Sequence, residues 1–543
     1  MSLKKILFGN VSIAILLACL TAVLLTVTAP AIGLTWDEPA YIAGADSAAA
    51  WFGLLIQHPI QALSPTGIDR YWTVNSEHPP VEKIWSGLVW SLARHLFDDL
   101  TANRLGVMLW VGGLVALLYW LVAQAYGKAA GLFAALALIS MPRFFFHAHL
   151  AALDVPAAVG AFAVTFLFWQ TVDRKGWAWG LLWGLAWGLA VAVKLNGVFI
   201  PLSLVPWCLV FRRKWSMLLR FLLMGASAIA AFVLVWPWLY HDTWSRIMAY
   251  IDFHLHHFPI GQWYFGKFTL PPPWHFVPVM LYAVVPMTIL ILSLAGMARA
   301  GKGKKDHGLA WLLILSVAAS ISPFLFGKSL LYDNDRLFMP VYPFLAALAG
   351  IGFGWLLQGL RSLLARLQRP RLAVPFSLLI GLALFLPQSA ALARQFPHLL
   401  SYYSEGVGGL PGATKLGLES TYWCETYAAA LPYINVHAKP GDSIWVEPWS
   451  YDVLLYYQLH GQLRQDLRIL NPESTFSVLG WSTPQPLTGD ITSADWIIFQ
   501  NRQTQLGPVG LKSPLLAYLK NKRPVFELSY QGVPLMRLYQ GSR

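Results

Sequence analysis

Asp37 and Glu38 stand side by side in Leu-Thr-Trp-Asp-Glu-Pro-Ala-Tyr, residues 34–41, directly after the first long apolar run of the chain. Two adjacent carboxylates where an apolar span meets water are costly unless they stay solvated, pair with cations or do chemistry. The alternative is purely local: Pro39 suits a first helical turn, and acids suit its positive end, so the pair could simply cap a helix.

A second cluster, Asn75-Ser76-Glu77-His78-Pro79-Pro80, precedes Glu82 and Lys83. Glu77 and His78 offer the donor set of a divalent metal, or else form a solvated turn that starts a helix from Val81. A third cluster runs from Pro142 through Arg143, His147 and His149 to Asp154-Val155-Pro156. Asp154 could cap the helix that follows, and the histidines could be interfacial. Lys194 and Arg336, the latter in Tyr-Asp-Asn-Asp-Arg (332–336), add cations of the kind that hold a phosphate, an ammonium as a point charge and a guanidinium bidentately. Snorkelling to headgroups is the competing reading for Lys194. His254, His256 and His257 form another polar knot without an assigned role.

The elements that must position these groups are membrane helices. Of 543 residues, 57% are hydrophobic and only 12% charged, with 26 Trp, which excludes an ordinary soluble protein. At roughly 20 apolar residues per span, helices are expected near 6–33, 104–124, 129–142, 153–172, 177–194, 197–211, 216–239, 276–298, 309–326, 339–358 and 372–393, about eleven in all. The first, preceded by Lys4 and Lys5, reads as an uncleaved signal anchor. The formal charge of +13 does not mark a nucleic-acid protein. The basic residues gather in short loops (Lys128, Arg174 and Lys175, Arg212 to Lys214, Lys302 to Lys305, Arg361 to Arg371) that mark the cytoplasmic side. The acidic clusters then share the opposite, outer side. Cys19, Cys208 and Cys424 allow no disulfide framework.

The segment 34–103 reads as an outer loop with amphipathic helices at Ala48 to Ile56 and Val81 to Leu92, carrying Trp51, Trp85 and Trp90 at headgroup level. Residues 394–543 return to ordinary polarity and read as a small extracytoplasmic α/β domain after a transmembrane domain over 1–393. Strands are expected at Ser443 to Val446 and Trp496 to Phe499, a hairpin around Gln531-Gly532, and a helix over 514–519.

In order and sidedness these motifs resemble the GT-C glycosyltransferases, the protein mannosyltransferase and aminoarabinose transferase branch. The likeness rests on Asp37-Glu38, on Glu77-His78-Pro79-Pro80, on the turn from His149 to Pro156, on Asp335-Arg336 followed by Met339-Pro340-Val341-Tyr342-Pro343, and on Tyr402-Tyr403 with Gly408-Gly409 and Gly412-Ala413. The resemblance implies a polytopic α-helical membrane enzyme with a C-terminal α/β domain, seated in a cell inner membrane with its site outside. It would move a sugar from a polyprenyl-phosphate donor to a lipid, glycan or protein acceptor, with inversion. It implies Asp37 as base with Glu38 in support, and Lys194, Arg336, Arg143 and His149 at the donor phosphate. Glu77, His78 and Asp154 match positions that in some relatives hold a divalent metal or orient the donor. A secondary transporter and a non-catalytic envelope-assembly scaffold are the other classes such a chain could belong to. Transporters place ionisable groups near mid-membrane, whereas these acids fall at span ends.

Overall fold

The computed structural model describes residues 9–257, 260–300, 308–325, 331–472, 487–506, 518–519 and 521–541. Among them, five helices are long and apolar enough to cross a membrane: Asn10–Ala31, Asp99–Tyr126, Trp215–Val235, Val341–Arg366 and Pro370–Gln395. Shorter apolar helices lie between them, among them Lys128–Ser140, Ala178–Val191 and Leu309–Phe324. Each expected span is helical over most of its length, and this is a multi-pass membrane protein. One expectation is corrected, because the stretch 276–298 is two helices, Phe276–Val284 and Met287–Ala298. Pro286 ends the first by withholding an N–H from its ladder and restricting the residue before it.

Helices in hydrocarbon gain little from burying apolar surface, so close backbone approach holds them together. Gly180, Gly184 and Gly188 recur every fourth residue on Ala178–Val191 and face Trp215–Val235. A methyl group at these positions would sit 2.5 Å from the Arg220 carbonyl oxygen, 2.2 Å from that of Met224 and 2.4 Å from that of Ala228. Asp173 and Arg174 meet Arg212 and Arg220 at one end of this pair, where Arg212 Nε donates to Asp173 at 2.6 Å. The connections carrying the acidic clusters collect at the other end.

The first connection folds into the helices Glu38–Gln57 and Val81–Ala93, with two short ones between, Pro59–Ala62 and Pro65–Trp72. Trp51 packs into the protein interior. It is buried edge-on against Trp72, its Nε1 donating to the Ala62 carbonyl at 3.0 Å, in a core shared with Trp236 and Tyr250. Trp85 stacks on Trp110, and Trp90 donates to Asp99.

Strands β1 (Gln262–Tyr264) and β2 (Lys267–Thr269) form a hairpin above the helices. The C-terminal region carries β3 (Ser443–Glu447), β4 (Arg468–Asn471), β5 (Leu487–Thr488), β6 (Trp496–Gln500), β7 (Phe526–Tyr530) and β8 (Val533–Gln540) in the order β5-β4-β3-β6-β8-β7. The first four are parallel, and β8 returns antiparallel to β6. Every residue of β6 is buried, as expected of a central strand covered on both faces. Gln531 and Gly532, at φ 49° and 76°, make the β7–β8 turn, the pair of positive φ values that suits a twisted hairpin. The helix expected over 514–519 falls mostly outside the described residues, as do Lys302 to Lys305.

The sheet region does not hang free. Leu34 N–H donates to the Tyr457 hydroxyl at 2.6 Å and Trp36 N–H to the Trp423 carbonyl at 3.0 Å. Gly33 has no room for a side chain, since a Cβ there would lie 2.1 Å from the Glu425 carbonyl oxygen. Residues 33–36 are thereby wedged under the C-terminal region.

Candidate active site

Asp37 occupies the N-cap position of the Glu38–Gln57 helix, yet its side chain makes no capping hydrogen bond. Its Oδ2 accepts from Nη2 of Arg336 instead. The same guanidinium donates through Nε to Asp154 at 2.9 Å and through Nη1 to Asp333 at 3.0 Å, and lies 4.1 Å from the centre of the Trp423 ring. Lys194 reaches the other oxygen of Asp154 at 2.5 Å, and Arg502 reaches the other oxygen of Asp333 at 2.6 Å. A continuous chain of charge results: Lys194, Asp154, Arg336, Asp333, Arg502, with Asp37 branching from its centre. Three cations face three carboxylates, and in such a water-poor setting this balance offsets the large cost of burying each alone.

The carboxylates differ in access. The side chain of Asp37 is 31% exposed, whereas those of Asp154 and Asp333 are 1% and 7%. Asp37 therefore opens on a cavity of about 400 Å³ whose walls include Asp37, Tyr41, Glu77, His78, Lys194 and Arg336 from the helical part, and Trp423, Asp452, Arg502 and Gln505 from the C-terminal region. Tyr332 closes one side, and burial pushes its hydroxyl up to about 12.

Glu77 and His78 reach the cavity because their loop is clamped from beneath. Lys83, itself buried, donates Nζ to the carbonyls of Asn75 and His78 at 2.7 and 2.8 Å. Asn75 at φ 56° turns the chain and donates to Glu77 at 2.9 Å. Burial pulls the Lys83 ammonium down to about 8, with Glu77 and Glu82 opposing. Burial, reinforced by Lys83, Lys194 and Arg336, holds the His78 imidazole well below its ordinary range, so His78 is neutral near pH 7.

Other candidate residues lie elsewhere. Glu38 is fully buried beside Asp37 and does not line the cavity. Arg104 grips both its oxygens at 2.7 Å, and the N–H and hydroxyl of Thr35 and the N–H of Ala151 complete its shell. It anchors the helix start that presents Asp37. Arg143, expected at a donor phosphate, is fully buried away from the cavity, bonded to Asp335 at 2.6 Å and to the Tyr402 carbonyl at 3.0 Å, with Tyr403 beneath it. His149 is likewise internal, between the Phe145 carbonyl at 2.7 Å and the Thr28 hydroxyl at 2.8 Å.

The trio Glu77, His78 and Asp154 does not fit a metal site. Both oxygens of Asp154 are held by Lys194 and Arg336, and among the described residues no three His, Cys, Asp or Glu side chains are gathered as ligands. Local sequence gives no sign of Trp423, Asp452, Arg502 or Gln505 as cavity residues, for each arrives by the fold of the C-terminal region. Asp333 lies within the Tyr332-to-Arg336 stretch, and its pairing with Arg336 at i, i+3 is a readable signal.

Comparison with known proteins follows this geometry. Residues 77–241 match the family model of dolichyl-phosphate-mannose-protein mannosyltransferases. No curated protein sequence matches the chain. Among solved structures, ArnT from Cupriavidus metallidurans bound to undecaprenyl phosphate superposes with a TM-score of 0.54 at 15% identity, covering 99% of this chain and 98% of that one. The apo state of the same protein gives 0.54 at 16% identity over 96% and 97%.

Proposed function

We propose, from the premise that this membrane protein has the GT-C fold of the mannosyltransferase and ArnT kind, that it is a glycosyltransferase drawing its sugar from a polyprenyl-phosphate donor. The observation that carries the proposal is a partly exposed carboxylate, Asp37, held in place by Arg336 on the wall of a polar cavity into which cations also face. Asp37 accepts the proton of an acceptor hydroxyl as the oxygen attacks the anomeric carbon. The bond from that carbon to the phosphate oxygen breaks, and polyprenyl phosphate leaves with its electron pair. Direct displacement inverts the anomeric centre and forms no sugar–protein bond. Arg336, bonded through each of its three nitrogens to a carboxylate, fixes Asp37 and adds its positive field to the cavity. Lys194, paired with Asp154 on the cavity wall, offsets the charge of the leaving phosphate, the kind of preorganised electrostatic help that is usually the largest catalytic contribution. Trp36 and Trp423 also line the cavity, their rings stacked against the guanidinium groups of Arg502 and Arg336.

The ArnT relative crystallised with undecaprenyl phosphate supports a polyprenyl phosphate as the lipid carrier. The distribution of basic loops supports an inner-membrane protein whose cavity opens to the extracytoplasmic side, with the acceptor a lipid, glycan or protein there. The cavity lies at the ends of the helices and under the sheet, not in a gap at mid-span, which favours surface chemistry over alternating access. The test is sugar transfer from a panel of radiolabelled polyprenyl-phosphate sugars in proteoliposomes containing an envelope-lipid fraction. Label moving into acceptor with one donor is expected, and folded protein that transfers none from any donor overturns the reading.

A further inference from the structure

Among the cavity's cations, unused hydrogen-bonding capacity is unequally shared. Arg336 spends Nε, Nη1 and Nη2 on Asp154, Asp333 and Asp37. Arg502 also lines the cavity and is only 4% exposed, yet its one side-chain hydrogen bond among the described residues runs from Nη2 to Asp333. Among the described residues its buried Nε has no hydrogen-bond partner. A buried guanidinium N–H without an acceptor is rare in proteins and expensive, so such a group calls for an explanation. The Trp36 ring lies 5.3 Å from the guanidinium carbon and fixes its plane. A planar, anchored fork with spare N–H groups beside a polar cavity matches the geometry of an oxyanion.

Resting on the transferase reading above, we infer that Arg502, delivered by the C-terminal sheet region, is the direct phosphate-gripping residue of the cavity, and that its ligand is the phosphate oxygens of a polyprenyl phosphate. Arg336, already bonded to three carboxylates, and Arg143, which does not line the cavity, do not take that part. Arg502 follows β6, whose end is set by the pairing of Gln500 with Met536 of β8, so the sheet determines where the guanidinium stands. The chain of charge also sets the strength of the grip. Asp333 competes with the incoming phosphate for Arg502, and removing the Asp333 charge strengthens phosphate binding.

The experiment uses the full chain in nanodiscs, titrated with farnesyl phosphate, with farnesol as the neutral control and with inorganic phosphate as the lipid-free arm. Arg502→Gln is expected to weaken farnesyl phosphate binding about 10- to 100-fold while leaving farnesol unchanged, the scale of a lost charge-assisted bidentate contact. Arg502→Lys, keeping charge but not the fork, falls between. Asp333→Asn is expected to tighten farnesyl phosphate binding severalfold, a sign that a folding defect does not mimic. A loss confined to inorganic phosphate would assign Arg502 to a free anion and overturn its role at the lipid phosphate. Equal farnesyl phosphate affinity in wild type and Arg502→Gln, or no tightening in Asp333→Asn, overturns the inference. Because the assay requires no sugar transfer, a wild type that binds farnesyl phosphate but turns over no donor refutes the transferase reading and leaves Arg502 as a phosphate ligand.

Discussion

Asp37→Asn changes one oxygen to an amide nitrogen and nothing in volume, so its consequences divide cleanly between charge and shape. Arg336 loses one of its three carboxylates but keeps Asp154 at 2.9 Å and Asp333 at 3.0 Å, both almost fully buried. The guanidinium therefore stays where it is, and because the Asp37 side chain is 31% exposed its ion pair is worth about 1 kcal/mol or less to stability after solvent screening. What disappears, on the proposed mechanism, is the acceptor of the substrate proton. General base assistance is typically worth about 100- to 10,000-fold, which at 1.36 kcal/mol per decade raises the barrier by roughly 3 to 5 kcal/mol. The expected result in proteoliposomes is a fall of that size in kcat for sugar transfer, with thermal unfolding in detergent within a few degrees of wild type and farnesyl phosphate affinity retained. Turnover within about threefold of wild type by correctly inserted Asp37→Asn would refute the argument, since no transferase depending on this base survives its loss. A large loss of thermal stability would refute a different step, the claim that Asp154 and Asp333 suffice to hold Arg336.

Glu38→Gln, one residue away, is expected to behave in the opposite manner: it strands Arg104 as an uncompensated buried charge and lowers stability by about 3 to 5 kcal/mol, read as a drop in unfolding temperature. Arg336→Lys replaces a fork that meets three carboxylates with a point charge, and transfer should fall at least about 100-fold although the net charge is unchanged. Glu82 gives a pH signature. It is 1% exposed with Oε2 unpartnered, and burial raises its carboxyl to about 7. Between about pH 4.5 and 7 the folded chain holds a proton that the unfolded chain has lost, so this group's contribution falls as pH rises through that window, by on the order of 3 kcal/mol in total. Glu82→Gln should therefore unfold at a higher temperature than wild type at pH 8 and at about the same temperature at pH 4, and a constant difference across that range would contradict the assignment.

The helical spans were legible because the bilayer imposes length and apolarity on them, and the basic loops because charge resists translocation. The cavity end was legible in part: Asp37, Glu77, His78, Lys194 and Arg336 come from separate stretches that the sequence reading gathered together, and the fold brings them to one cavity. Asp37 and Glu38 show where local reading ends. They are chemically alike and adjacent, but one helical step turns Glu38 inward onto Arg104, which lies 66 positions away and announces nothing in its own neighbourhood. Arg143 and Arg336 likewise read alike as cations on the acidic side, and only packing shows the first sealed against Asp335 and Tyr403. The break before Met287 is visible as Pro286, yet the apolar run continues through it and hydropathy outvotes the proline. Arg502 has no flanking motif, being positioned by hydrogen bonds between strands far apart in sequence.

The position of β6 has a consequence for how the molecule comes to exist. Its neighbours are β3 on one side and β8 on the other, and β8 spans Val533–Gln540, beginning 31 residues beyond Arg502. During synthesis the membrane helices, Asp37 and Arg336 are all made long before the strand that seats Arg502 has its second partner. A ribosome-bound chain thus carries Asp37 and Arg336 before the strands that seat Arg502 are complete, so the cavity wall is finished last.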